Sequence, residues 1–499
     1  MNPSRPPASP GAEADVTHSV ATRTVRGGAV TAATTWLKFL LQFGSTLAIA
    51  RLIGPFEYGV AAIVVVFGGA AEILRNSGFT VLAIRRTEMD SAYASRLHRQ
   101  TMVVALVAAA VVGLSGQGLA RAFNDSRYVV FAPVLGLIFV FIGLGSLQAA
   151  MLARDLRFRQ VAIGDLVAAV VACTCAVALA IAGAGAWALV VQPVLMALVQ
   201  TIMVWILSPW RPRRSTSRMI ASDRVFVRDI TTVNVFNYFA GNLDNVLVGY
   251  VAGPLGAGLY VQAYQLMILP LQQITGPLQK VMVPALSRVR SESDRFRAYY
   301  RTLLALVTLV LWPFYIVMLI FRVEVIEALF GEAWLGAAPI LAFLVIAGIV
   351  NAAAYPTTWL FIVSGQSRRQ LCWVLATRPI IVGSFVAGIP WGVVGVAAAF
   401  ALVNAVLVVP EFLLARRAVG LRVVDFFAPL ARPALLAVVA GLASFATRAV
   451  GPPSSSYAVL AAELVLTGVA VVSAAALVPA IRREFSTILS AMRAGKKDA

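Results

Sequence analysis

The sequence predicts an all-helical integral membrane protein of about fourteen spans, arranged as two parallel-repeat six-helix lobes plus two peripheral C-terminal helices, with both termini cytoplasmic. Three observations carry this expectation. The first is apolarity. Of the 499 residues, 60% are hydrophobic and 13% charged, with a mean hydropathy of +0.85. A soluble chain cannot bury that much apolar surface, and the apolar runs are too long and too uniform for alternating barrel strands. The second is the sorting of charge. With the N-terminus inside, 32 of the 41 Lys and Arg fall in inner loops or tails, five fall outside and four lie within spans. That asymmetry is the positive-inside pattern, so the net charge of +19 reports topology and contact with anionic lipids rather than nucleic acid. The third is an internal repeat. Residues 46–66 align with 245–265, Gly54-Pro55 and Gly59 over Gly253-Pro254 and Gly258. Phe123 and Ala132-Pro133 then match Phe330 and Ala338-Pro339, and Trp187 matches Trp391.

In chain order, residues 1–24 read as a disordered cytoplasmic tail, rich in Pro and Ala and lacking the form of a cleaved signal peptide. The first lobe, 25–207, holds spans near 27–50, 58–80, 98–121, 128–151, 160–182 and 185–207. In the first span Thr34, Lys38, Gln42 and Ser45 share one helical face, which is costly against lipid and belongs against protein or a wet cavity. In the second, Glu72 and Arg75 stand three apart and can pair. Asp165, two turns into the fifth span, reads either as a packing hydrogen-bonder or as the partner of a basic group.

A basic cytoplasmic linker, 208–227, separates the lobes. The second lobe, 228–415, holds spans near 228–251, 256–284, 301–321, 335–363, 370–389 and 391–414. Pro270, Pro277 and Pro284 recur every seven residues in the second of these and are expected to bend it. Two extra helices lie within 428–480, near 430–450 and 457–480, and a basic cytoplasmic tail fills 481–499.

Charges at membrane depth are expensive and therefore functional candidates. Lys38 and Arg378 sit deepest. Arg75 and Lys280 lie nearer the inner ends and read equally as snorkelling anchors. A set of fixed cations inside a helical bundle is what a phosphate or pyrophosphate headgroup requires. The substrate-binding candidates are thus Lys38, Gln42, Arg51, Arg75, Lys280 and Arg378, with Arg51 at the outer end of the same path. Asp244, flanked by Asn242 and Asn245, reads either as a proton or sodium site for ion coupling or as an interhelical hydrogen-bond node.

Cys173, Cys175 and Cys372 fall within spans and read as small packing residues. No phosphate-binding loop, nucleophile elbow or metal-ligand spacing occurs, so neither a catalytic residue, a metal nor a cofactor is expected, and the chain is not read as an enzyme. A membrane glycan polymerase or ligase would require a sizeable outer loop with catalytic groups. A multidrug-type exporter would favour a more acidic and aromatic cavity. Both stay open as alternatives.

The stretches ARLIGPFEYGV, ILRNSGFTVLAIRR, NYFAGNLDNVLVGYVAGPLGAGLYVQAYQLMILPLQQITGPLQKVMVPALSRVR and ALFGEAWLGAAPIL resemble the polysaccharide transporter (Wzx-type) family of lipid-linked oligosaccharide flippases, within the MATE and MurJ-like exporter superfamily. The resemblance covers roughly residues 25–420. It implies fourteen helices in two six-helix lobes, alternating access, and movement of an undecaprenyl-pyrophosphate-linked glycan to the outer leaflet of the bacterial plasma membrane. It also implies cavity cations that hold the pyrophosphate, an ion gradient as drive, and polysaccharide polymerase machinery as a partner. Asp244 and Asn245 match the family's motif in the seventh span. Arg75-Asn76-Ser77-Gly78 departs from it, since the family often places an acidic residue there.

Overall fold

The computed structural model describes the backbone of residues 10–86, 89–155, 157–214 and 219–450, together with 465 and 468. Within that backbone, the side chains of 10–33, 158, 237, 239–247, 367 and 450 lie outside the described set. Every described element is helical, and nine helical stretches are long and apolar enough to cross a membrane. The chain is a multi-pass all-helical membrane protein. The predicted span near 457–480 lies outside the described residues.

The chain divides into two compact units, Met1–Asn242 and Leu243–Ala499. The first contains α1 (Pro10–Gly69), α2 (Glu72–Arg75), α3 (Gly78–Arg85), α4 (Ser91–Phe123), α5 (Tyr128–Arg154), α6 (Phe158–Ile181) and α7 (Trp187–Leu207), and the first part of α8 (Ala221–Arg288). Helix α1 begins at Pro10, inside the stretch read from sequence as a tail. α5 packs on α4 and α7, and α6 packs on α7 and α1.

The second predicted span departs from expectation. Instead of one helix over 58–80, α1 stops at Gly69 and the chain continues as two short helices, α2 and α3. The Tyr238 hydroxyl of α8 donates to the Val66 carbonyl and occupies the space a side chain at Gly69 would need. Helix formation through Gly68-Gly69 is also weak. The result frees Glu72 and Arg75 from a regular span.

The second unit contains the rest of α8, then α9 (Ser293–Ile320), α10 (Arg322–Phe330), α11 (Ala337–Val363), α12 (Ser367–Gly388), α13 (Gly392–Arg416), α14 (Val424–Phe427) and α15 (Ala431–Val450). α13 packs against α11 and α12, and α9 packs against α11 and α15. Fully buried Tyr260, Tyr315, Trp334 and Trp359 fill this unit, and the Tyr315 hydroxyl donates to the Met267 carbonyl at 2.7 Å.

The repeat is visible in the backbone. α1 breaks at Gly54 (φ 73°, ψ 172°) and α8 at Gly253 (φ 66°, ψ −175°), each just before a proline. Proline disfavours helical geometry in the preceding residue, and this region of φ/ψ is essentially open to glycine alone. α8 carries Pro270, Pro277 and Pro284 within its helical run, and its one non-helical residue is Gly253. The chain also turns with positive φ just after each repeated Phe, at Asn124 (51°) and Gly331 (93°).

Candidate functional site

The polar stripe of the first span finds its partners inside the first unit. Gln42 Nε2 approaches the Met196 sulfur of α7 at 3.4 Å, and Gln192 Nε2 of α7 donates to the Ser45 hydroxyl at 3.1 Å. Lys38 Nζ lies 3.7 Å from Asp165 Oδ2 of α6. Asp165 is therefore the partner of a basic group, one of its two readings.

From Asp165 the polar contacts continue. Gln200 of α7, 8% exposed, donates from Nε2 to Asp165 Oδ1 at 2.9 Å and accepts Arg75 Nη2 on its Oε1 at 2.7 Å. Its amide is thus polarised in one sense, oxygen toward the cation and nitrogen toward the carboxylate. Arg75 Nε donates to Glu72 Oε2 at 3.0 Å, and Asn76 Nδ2 donates to Glu72 Oε1 at 3.2 Å. Lys38, Asp165, Gln200, Arg75 and Glu72 so form one continuous chain across α1, α6, α7 and α2. Two cations face two carboxylates.

A cavity of about 280 Å³ opens beside this chain, with Arg75, Asp165 and Gln200 in its wall beside Thr80, Ser146 and Thr201. Apolar residues of α3, α5 and α7 supply most of the remaining lining. The cavity sits where α5 ends and α6 begins, the end of the unit that carries the basic residues 154, 157 and 159. An apolar cluster including Phe79, Leu82, Leu97, Leu147, Met219 and Val227 packs at this same end. Asp223, from the start of α8, accepts Arg86 Nη1 at 2.8 Å and the Tyr93 hydroxyl. Gly78 lies so close to Val227 that a Cβ there would stand 2.5 Å from the Val227 Cα.

The opposite end carries a different cluster. Arg127 donates through Nη1 to both oxygens of Glu57, at 2.8 and 2.9 Å, and through Nη2 to Asp125 Oδ2 at 2.7 Å. Glu57 Oε2 also accepts the Ala186 N–H at 3.0 Å. Asp125 lies in the turn after α4. Hydrogen bonding from Arg127 holds its carboxyl below the usual carboxylate range, while the same contacts raise Arg127. This arrangement ties the start of α5 to α1 and to the entry of α7.

Among the sequence candidates, Lys38 and Arg75 are linked through Asp165 and Gln200, and Gln42 lies on the same face of α1. Arg51 is exposed on α1. Lys280 and Arg378 belong to the second unit, Lys280 exposed on α8 and Arg378 half-buried on α12 within electrostatic reach of Tyr355 on α11. The side chains of Asn242, Asp244 and Asn245 lie outside the described residues.

Sequence reasoning missed Gln200, the residue that links Asp165 to Arg75. It also missed Glu411 of α13, half-buried in the second unit, which accepts the Thr358 hydroxyl at 3.2 Å. The signal is present in both cases, an amide and a carboxylate inside apolar runs, but ranking spans by their cations passes over both.

The model of a family described as polysaccharide biosynthesis protein matches residues 48–339. The teichuronic acid biosynthesis protein TuaB of Bacillus subtilis (strain 168) is 22% identical over 386 residues, covering 75% of this chain and 78% of that protein. The lipopolysaccharide biosynthesis protein WzxC of Escherichia coli (strain K12) is 22% identical over 345 residues, covering 68% of this chain and 69% of that protein. Among solved structures, the lipid II flippase MurJ in an inward closed conformation superposes with a TM-score of 0.67 at 12% identity, covering 89% of this chain and 97% of the other. The fold is shared with that transporter.

Proposed function

This chain belongs to the polysaccharide biosynthesis protein family, and from that premise we propose that it is a flippase carrying an undecaprenyl-pyrophosphate-linked oligosaccharide from the inner to the outer leaflet. The observation that supports this reading most is the cavity walled by Arg75, Asp165 and Gln200, with Lys38 joined to the same chain of contacts. Cations held at membrane depth are costly, need partners such as Asp165 and Glu72, and mark substrate paths.

In this reading the headgroup enters at the basic, cytoplasmic end. Arg75 and Lys38 meet the pyrophosphate oxygens with charge-assisted hydrogen bonds, which gain strength where water is scarce. Gln200 supplies a further N–H. Gln42 continues the polar face of α1 and Arg51 stands at the outer end of that helix; in the second unit the substrate-binding cations are Lys280 and Arg378. The glycan crosses in water while the polyprenyl tail stays in lipid. Alternating access opens the outer face, and Asp244 with Asn242 and Asn245 binds the coupling ion. No bond is made or broken, so binding and release are the whole chemistry. Anionic lipids meet the basic inner loops, and the polysaccharide polymerase machinery receives the product.

The test is reconstitution in proteoliposomes with a fluorescent undecaprenyl-pyrophosphate trisaccharide, followed by quenching from outside. Protein-dependent movement that excludes a matched undecaprenol trisaccharide supports the reading. Absence of movement with several glycans, under either a proton or a sodium gradient, refutes it.

A further inference from the structure

Arg75 in the cavity wall and Lys38 beside it are both engaged by side chains of the protein itself. Lys38 faces Asp165 Oδ2 at 3.7 Å. Arg75 spends Nη2 on Gln200, whose Nε2 is spent on the other Asp165 oxygen. Asp165 is therefore tied to both cations, directly to Lys38 and through a polarised amide to Arg75, whose Nε also pairs with Glu72 at 3.0 Å. Asp165 also lines the cavity, with a side chain 34% exposed, so it stands where an entering anion arrives.

We propose that Asp165 is a built-in counter-ion of Lys38 that an entering phosphate headgroup displaces. This inference rests on the flippase reading above. Arg75 has Glu72 as its own carboxylate, whereas Lys38, partly desolvated, has Asp165, whose opposite charge offsets the cost of holding that cation there. A carboxylate carries one charge, whereas a pyrophosphate carries more charge and more acceptor oxygens and wins the exchange. The exchange also weakens binding, because the competent state must first release Asp165. Weakened binding serves transport: after the headgroup leaves, Asp165 retakes Lys38, and the product is not trapped. Gln200 couples the two cations, since its amide bridges Asp165 and Arg75 and passes the exchange to Arg75.

The inference predicts a gain of affinity on removing a carboxylate, an outcome a merely structural role of Asp165 would not produce. The probe is farnesyl pyrophosphate, with farnesol as the uncharged control, titrated into the full-length protein in detergent. Asp165→Asn keeps an acceptor for Gln200 and removes the charge. It is expected to bind farnesyl pyrophosphate about tenfold tighter than the wild type, with farnesol unchanged. Asp165→Glu is expected to restore ordinary affinity. Should Asp165→Asn not elute as a folded species, Asp165→Ser serves the same comparison. Wild-type binding that the neutral variants leave equal or weakened overturns the counter-ion role and leaves the flippase reading standing. If neither the wild type nor any variant binds farnesyl pyrophosphate, the headgroup site fails and the inference falls with it.

Discussion

Gln200 is the residue on which the first unit's polar chain turns. Replacing it with Leu keeps its bulk and removes both hydrogen bonds, leaving Arg75 and Asp165 each short of a partner. Both groups are about a third exposed and Arg75 keeps Glu72, so the loss is discounted for solvent to about 1 kcal/mol or less per group. The variant is expected to remain folded, with a lowered thermal midpoint, and to move lipid-linked glycan at least tenfold more slowly, by about 1.4 kcal/mol of barrier. Asp125 supports a second prediction. Arg127 depresses its folded pKa, so its stabilising contribution is complete above the unfolded value and is lost as pH falls through the folded one. Thermal midpoints measured from neutral pH downward should fall at the acid end, and Asp125→Asn should flatten that fall. Most of this scale was legible only in part. Lys38, Gln42 and Ser45 were readable as a face because helical spacing places them together. The link through Gln200 was not, because it joins residues 125 and 35 positions apart, and nothing in either local pattern encodes that distance.

At the scale of elements, the Gly-Pro breaks make the sharpest claim. Gly54 and Gly253 adopt a conformation essentially restricted to glycine, and a Cβ added at either site would meet no heavy atom within 4 Å. Gly54→Ala or Gly253→Ala therefore acts through backbone strain alone, at about 1–3 kcal/mol each. Equal losses in thermal stability for the two variants are expected if the breaks are true counterparts. Gly78 differs, because the cost there is contact. Gly78→Val drives a side chain into the α8 backbone at Val227 and should destabilise by about 1–3 kcal/mol, with the start of α8 losing protection from hydrogen exchange. Helix boundaries from 91 to 207 lie close to those the hydropathy implies, since uniform apolar runs closed by turn residues leave little choice. The span over 58–80 was misread because hydropathy is blind to Tyr238, which reaches Val66 from 172 positions away.

For the whole molecule, charge and repeat were informative because both are sums over many residues. A single misplaced Arg does not invert a bias of 32 against five. With the expected topology, both termini inside, the cavity lies at the cytoplasmic end. A single cysteine introduced at Arg213 in a cysteine-free background should be shielded from an impermeant thiol reagent in intact cells, and one at Arg127 should react from outside. The nature of the cargo is a different matter. A headgroup site is encoded by a few charges, whereas a glycan is met by diffuse surface that no local motif records.

The most direct measurement is the rate of transbilayer movement of the fluorescent undecaprenyl-pyrophosphate trisaccharide in proteoliposomes, compared for wild type, Lys38→Met and Arg75→Met. The predicted result is movement by the wild type and at least a tenfold loss in each variant, or about 1.4 kcal/mol, with the folded state retained. Undiminished movement in both variants would contradict the placement of the headgroup on this chain of contacts.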